Sequence, residues 1–91
     1  MERRKLWLDH FCENKNWWAN GTTKRRLEKY REDILNDADI WSDILLRHGG
    51  QNFTPSELKE SDIHTYNHAM GNLTGMISHI IYNLITGKNI Q

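Results

Sequence analysis

Two clusters of side chains in this chain have types and spacings that could do chemistry. In the first, Glu60, His64 and His68 follow one another at i,i+4 intervals, so on a helix they would share one face. A His-x-x-x-His pair chelates zinc when a third ligand converges on it. The pattern lacks the glutamate that follows the first histidine in His-Glu-x-x-His, and His10 or Cys12 would have to arrive from another helix to complete the site. No resident metal and no cofactor are therefore expected. Glu60, His64 and His68 read first as exposed or interfacial hydrogen-bonding groups.

The second cluster is Trp17-Trp18-Ala19-Asn20-Gly21-Thr22-Thr23-Lys24-Arg25-Arg26. It sets paired indoles before a glycine turn, then the free backbone N–H groups of a helix start, then three consecutive cations. Helix starts attract phosphate, and aromatic faces stack on bases, so the parts suit a nucleotide or single-stranded nucleic acid. One glycine is too few for a Walker or dinucleotide loop. Trp and Arg also dominate protein–protein hot spots. The expected contact residues are thus Trp17, Trp18, Lys24, Arg25, Arg26 and Arg31, for a protein partner first and a phosphate-bearing ligand second. The plain alternative makes one indole core, the other a helix-end cover, and the cations a solvated face.

Catalysis is not expected. Glu28, Glu32, Asp33 and Asp37 bring carboxylates together along one helix, but no matching acidic motif follows on the next, so no magnesium cage closes. His10 and Cys12 are two apart on a helix and point in different directions.

Composition narrows the classes further. Ninety-one residues make a single domain with a modest core, a size that often gains stability by self-association. Twelve basic and twelve acidic side chains leave no net field to draw the chain to nucleic acid or lipid. The lone Cys12 excludes an internal disulfide, and the basic start is not followed by the apolar run of a secretion signal, so a cytoplasmic location is expected. No stretch is long and apolar enough to span a bilayer, and no membrane partner is expected.

The elements that must position these residues read as all-α, one domain of three helices over residues 1–91. Residues 2–19 carry Trp7, Phe11 and Trp18 on one side and end at Asn20-Gly21. A second helix over residues 23–48 repeats Leu27, Tyr30, Ile34, Ala38, Trp41, Leu45 and His48 at three-or-four spacing up to Gly49-Gly50. The third, over residues 55–86, opens on Thr54-Pro55-Ser56-Glu57, a cap, an N1 proline and a capping-box glutamate. Ser61-Asp62 offers a fresh cap, but continuity is the favoured reading. Its seam is Ile63, Tyr66, Met70, Leu73, Ile77, Ile80 and Leu84, with Gly87 closing the helix before a polar tail at residues 88–91. A long antiparallel hairpin of the second and third helices should dominate, with the first packed across it.

Two features call for more than that hairpin. Gly71 and Gly75 form a Gly-x-x-x-Gly stripe in mid-helix, where each glycine costs about 1 kcal/mol relative to alanine. Close packing by another backbone or by Trp7 or Trp41 would account for them. Apolar residues also flank both seams, Leu35, Ile40 and Ile44 on one and Met76, Ile81 and Ile85 on the other, so a homo-oligomer is expected, most simply a dimer. A short neutral chain rich in Asn and Ile and without site chemistry fits a non-enzymatic protein–protein interaction module, of the kind phages encode as regulators or inhibitors of host proteins.

Overall fold

The computed structural model describes residues 2–87, and every regular element among them is helical. The spine is the long helix α6, Ile63–Thr86, and five shorter helices lie along and across it: α1 (Glu2–Glu13), α2 (Lys24–Lys29), α3 (Arg31–Leu35), α4 (Ala38–Trp41) and α5 (Pro55–Ser61). A 3₁₀ turn, Lys15–Trp17, follows α1, and a π-helical stretch, Ser42–Arg47, continues α4. The all-α class is as expected, whereas the three-helix hairpin is replaced by one 24-residue helix and a wrapping of short ones.

α6 forms because its apolar residues keep helical spacing for six turns and both ends are capped. The Asp62 carboxylate accepts from the Thr65 N–H at 3.1 Å, and Gly87, at φ 71°, closes the last turn in the left-handed region. Tyr66, Ala69, Met70, Leu73, Ile77 and Ile81 are buried. The expected seam holds through the middle and rotates at its ends, where Ile63 is 44% exposed and Ile81 rather than Ile80 turns inward. Each large apolar side chain buried here contributes about 1.5–3 kcal/mol. The tail expected at residues 88–91 lies outside the described residues.

The third helix is broken where continuity was favoured. Asp62 sits at φ −152°, ψ 81°, ending α5 and starting α6, because its side chain bonds the Thr65 amide and hydroxyl and so competes with the helical backbone bond. The start of α5 is as read from the sequence: the Thr54 hydroxyl accepts from the Glu57 N–H at 3.1 Å, and the Thr54 N–H donates to the Glu57 carboxylate at 2.8 Å. The Thr54 backbone N–H, with the Thr54 hydroxyl beside it, holds the Glu57 carboxyl below its ordinary pKa.

The expected second helix over residues 23–48 is the larger correction. It breaks at Tyr30 and again at Asn36-Asp37, where Asp37 becomes extended and caps α4 by accepting from the Ile40 N–H at 3.0 Å. Carbonyls at this break are taken by side chains. Trp41 Nε1 donates to the Ile34 oxygen at 2.9 Å, and Arg4 donates to the Leu35 oxygen at 2.9 Å. The kink turns Leu35, Ile40 and Ile44 into core and leaves Ala38 exposed. The first helix also stops early, at Glu13, since Asn14 folds its side chain back onto the His10 carbonyl at 2.5 Å.

The core unites all of these pieces. Trp7, Leu8 and Phe11 from α1, Ile34 from α3, Trp41 and Ile44, and the inner face of α6 form one cluster, against which Trp17, Trp18 and Tyr30 are half-buried. A helix of this length is about 36 Å long, and it accounts for the 42 Å long axis of the molecule.

Candidate functional site

The residues expected to form one contact patch are divided. Trp17 packs edge-on against the buried Tyr66 ring, 6.4 Å between centroids, and its carbonyl accepts from the Thr74 hydroxyl at 2.6 Å. It ties the 3₁₀ turn to α6. Trp18 is half-buried, and its indole N–H donates to the Phe11 oxygen at 3.0 Å. Arg26 folds back on the Gly21 carbonyl at 2.8 Å, and Arg31 pairs with Asp9 at 2.8 Å. Lys24 and Arg25 are exposed. No platform of two open indoles is presented.

Three members of that segment do meet in a groove of about 640 Å³ between the end of α1 and the face of α2. Trp18, Lys24 and Arg31 line it together with Lys15, but so do Glu13 and Glu28, which oppose an anion. Cys12 lies on the same wall, half-buried, with its thiol pushed above its ordinary pKa by burial, so it is not a ready nucleophile.

His64 and His68 stand exposed on the first turns of α6, while Glu60 lies on α5 beyond the break at Asp62. Among the described residues, no three His, Cys, Asp or Glu side chains converge to hold a metal.

Gly71 and Gly75 behave differently from expectation. No neighbouring atom of the chain comes within 4 Å of where a Cβ would stand on either. The indoles that were to cover them are engaged elsewhere: Trp41 on Ile34, and Trp7 on the Gly50 carbonyl at 3.2 Å. Close approach occurs instead at Gly50, where an added Cβ would lie 2.8 Å from the Ile44 oxygen and 2.9 Å from Trp7 Nε1. The Gly49-Gly50 doublet was the available signal for that contact.

Beside the open glycines runs a second groove, of about 490 Å³, between α6 and the α4–π segment. Its floor holds Gly71, Gly75, Ile40, Met76 and Ile80, and its far wall holds Asp37, Asp39 and Asp43. Asp43 is only 8% exposed; it accepts from the Asn72 side-chain amide at 2.8 Å and lies 3.4 Å from Arg47 and 3.5 Å from His48 Nδ1. The wider π turn redirects Asp43 toward α6, a placement that spacing along an ideal helix would not foretell. Asp37 and Asp39 remain the outer acidic rim.

A third polar contact lies deeper. His10 Nε2 and the Tyr66 hydroxyl are 2.6 Å apart. Burial, aided by the Lys59 ammonium, lowers the His10 pKa, and burial raises that of Tyr66. Both shifts favour the neutral forms, so the pair is a structural hydrogen bond between helices α1 and α6.

What these elements define is an all-α domain with an open, glycine-bearing helix face flanked by an acidic groove. Comparison with known proteins finds no matching family model, curated protein or solved structure. Among the described residues no helix is long and apolar enough to cross a membrane.

Proposed function

We propose that this chain is a small non-enzymatic protein–protein interaction module that acts as a homo-oligomer and serves as a regulator or inhibitor of another protein. The observation that carries the reading is the outer face of α6. In a chain with 26% charged residues, none of the 24 residues of α6 is Asp, Glu, Lys or Arg, yet one side of the helix is exposed from end to end. Solvated helix faces normally carry charge, whereas a face that is covered in use avoids the desolvation cost of burying it. Ile63, Tyr82 and Ile85 add large apolar area to that face, at 44%, 54% and 45% exposure.

The contact surface thereby moves from the Trp17–Arg31 region to α6 and its acidic groove, because Trp17 and Trp18 are spent on the fold. A photo-crosslinking residue at His68 or His79 should capture polypeptide in a lysate of the source cells, and one at Glu32, on the exposed side of α3, should not. Equal capture from both positions refutes the assignment. The second reading is a phosphate-bearing ligand, a nucleotide or single strand, in the groove lined by Trp18, Lys24 and Arg31. It requires affinity that falls steeply with added salt and is lost in Lys24→Ala.

A further inference from the structure

We infer that the groove along α6 receives a basic amphipathic helix of a partner protein, its apolar stripe laid on Met76, Ile80 and Leu84 and its Lys or Arg side chains set against Asp33, Asp37 and Asp39. This rests on the reading of the α6 face as a protein-contact surface and names the chemistry of the partner.

The groove is longer than the hollow beside the glycines. That hollow shares Asp37, His79 and Ile80 with a second one of about 340 Å³, which continues to Asn83 and Leu84. From Gly71 to Leu84 the floor therefore follows α6 for roughly 20 Å, the length of three to four helical turns. Met76, Ile80 and Leu84 recur every four residues along it and are each half-buried, so an apolar ridge of α6 lies open to the ridge of another helix. Gly71 and Gly75, with no neighbouring atom within 4 Å of where a Cβ would stand, keep one end of the floor low.

The walls select a helix over an extended strand. Both are helical, with their backbone groups bonded within their own segments, so a strand in the groove would find no ladder for its N–H and C=O groups. A helix brings its backbone bonds with it and lays only side chains on the floor.

Charge selects the sign of the partner. The far wall carries Asp33, Asp37, Asp39 and Asp43, and no Lys or Arg lines either hollow. Asp43 is already matched by Arg47 and His48, whereas Asp33, Asp37 and Asp39 enter no ion pair among the described residues. Three unmatched carboxylates beside an uncharged helix face make a one-sided negative field in a chain of zero net charge. An acidic occupant would be repelled, and a neutral one would strip water from the carboxylates with nothing in return. Lys or Arg along one edge of the incoming helix offsets that loss and fixes which edge faces the wall.

The test titrates the full chain into a fluorescein-labelled synthetic helix of about 18 residues, roughly 27 Å long, with leucines in one stripe and lysines beside it, and reads fluorescence anisotropy. One control peptide carries glutamate for lysine; a second holds the same residues in an order without a helical stripe. The lysine peptide should bind at least tenfold more tightly than either, and its affinity should fall as sodium chloride rises from about 50 mM to about 500 mM. Asp33→Asn with Asp39→Asn, which leaves the Asp37 cap of α4 in place, should weaken it roughly fivefold. Glu32→Gln with Glu60→Gln removes the same charge outside the groove and should not. Gly75→Leu should abolish binding with helicity unchanged by circular dichroism. Equal binding of the lysine peptide and either control, or lysine-peptide binding that survives the groove variants, overturns the inference. So does a dimer in sedimentation velocity that Gly75→Leu dissociates while the peptide stays bound, which gives the groove to a second copy. Absence of lysine-peptide binding also overturns it: the contact reading of α6 stands if crosslinking from His79 still captures polypeptide where Glu32 does not, and falls with the inference if neither position captures any.

Discussion

Gly50→Ala gives the sharpest check on the packing. The backbone of Gly50 is not in the left-handed region, so the conformation itself accepts alanine. The obstacle is space: the new methyl would stand 2.8 Å from the Ile44 carbonyl oxygen and 2.9 Å and 3.1 Å from Nε1 and Cε2 of Trp7. Neither neighbour yields easily. The Ile44 oxygen accepts the Gly50 N–H at 3.0 Å at the end of the π segment, and Trp7 has no exposed surface. Overpacking of this kind costs about 1–3 kcal/mol. If Trp7 moves to relieve it, the 3.2 Å bond from Nε1 to the Gly50 oxygen is lost, leaving a buried donor at a further cost of about 1–3 kcal/mol. Stiffening of the unfolded chain returns roughly 0.4–1 kcal/mol. The net expectation is a loss of about 2–4 kcal/mol, a large share of the roughly 5–15 kcal/mol typical of a domain. Urea unfolding followed by tryptophan fluorescence and by circular dichroism reads it as a midpoint shift at constant slope, about 1.5–3 M for a slope near 1.3 kcal/mol/M. Trp7→Phe, which removes the crowded edge of the indole, should make the alanine substitution cheaper by a measurable coupling term. A midpoint within a few tenths molar of wild type would refute the reasoning.

Further outcomes follow from other contacts. Gly71→Ala and Gly75→Ala, in open space on a helix, should each stabilise the isolated chain by up to about 1 kcal/mol; melting at low protein concentration should rise by roughly 4–8 °C per substitution, and a fall would show that the glycines are covered within the chain. Thr54→Ala removes the cap of α5 and should cost about 1 kcal/mol in chemical denaturation, with no loss counting against the capping box. Because burial holds the His10 pKa below its unfolded value, the unfolded state binds the extra proton first as pH falls. Stability should therefore be full above the ordinary histidine pKa of about 6.5 and decline below it, through the lowered folded value. His10→Gln should flatten that decline between about pH 7.5 and pH 5, and an unchanged slope would remove His10 from the account.

The all-α class, the capped start of α5, the middle of the α6 seam and the left-handed glycine closure at Gly87 were legible from local signals, because each depends on residues within a turn or two of one another, whereas Gly21 is left-handed in a turn and closes no helix, α1 having ended at Glu13. The breaks at Asn36-Asp37 and Asp62 were partly legible: both aspartates are good N-caps, and periodic apolar spacing on either side masked them. At Asn36-Asp37 the part not written locally is Arg4, which comes from α1 to take the Leu35 carbonyl, beside the nearby Trp41 that takes the Ile34 carbonyl.

For the candidate site the division is cleaner. Sequence alone determined that the 24 residues of α6 carry no Asp, Glu, Lys or Arg, that two glycines sit at its centre, and that indoles and cations cluster between residues 17 and 31. Only the tertiary structure decided that Trp17 and Trp18 are held on the body of the protein, that Asp43 turns inward to Asn72, that Gly50 rather than Gly71 or Gly75 meets a neighbour, and that the uncharged side of α6 is left open. The physical reason is that helical spacing specifies which residues share a face, while the choice of which face is covered depends on every other element competing for the same surface.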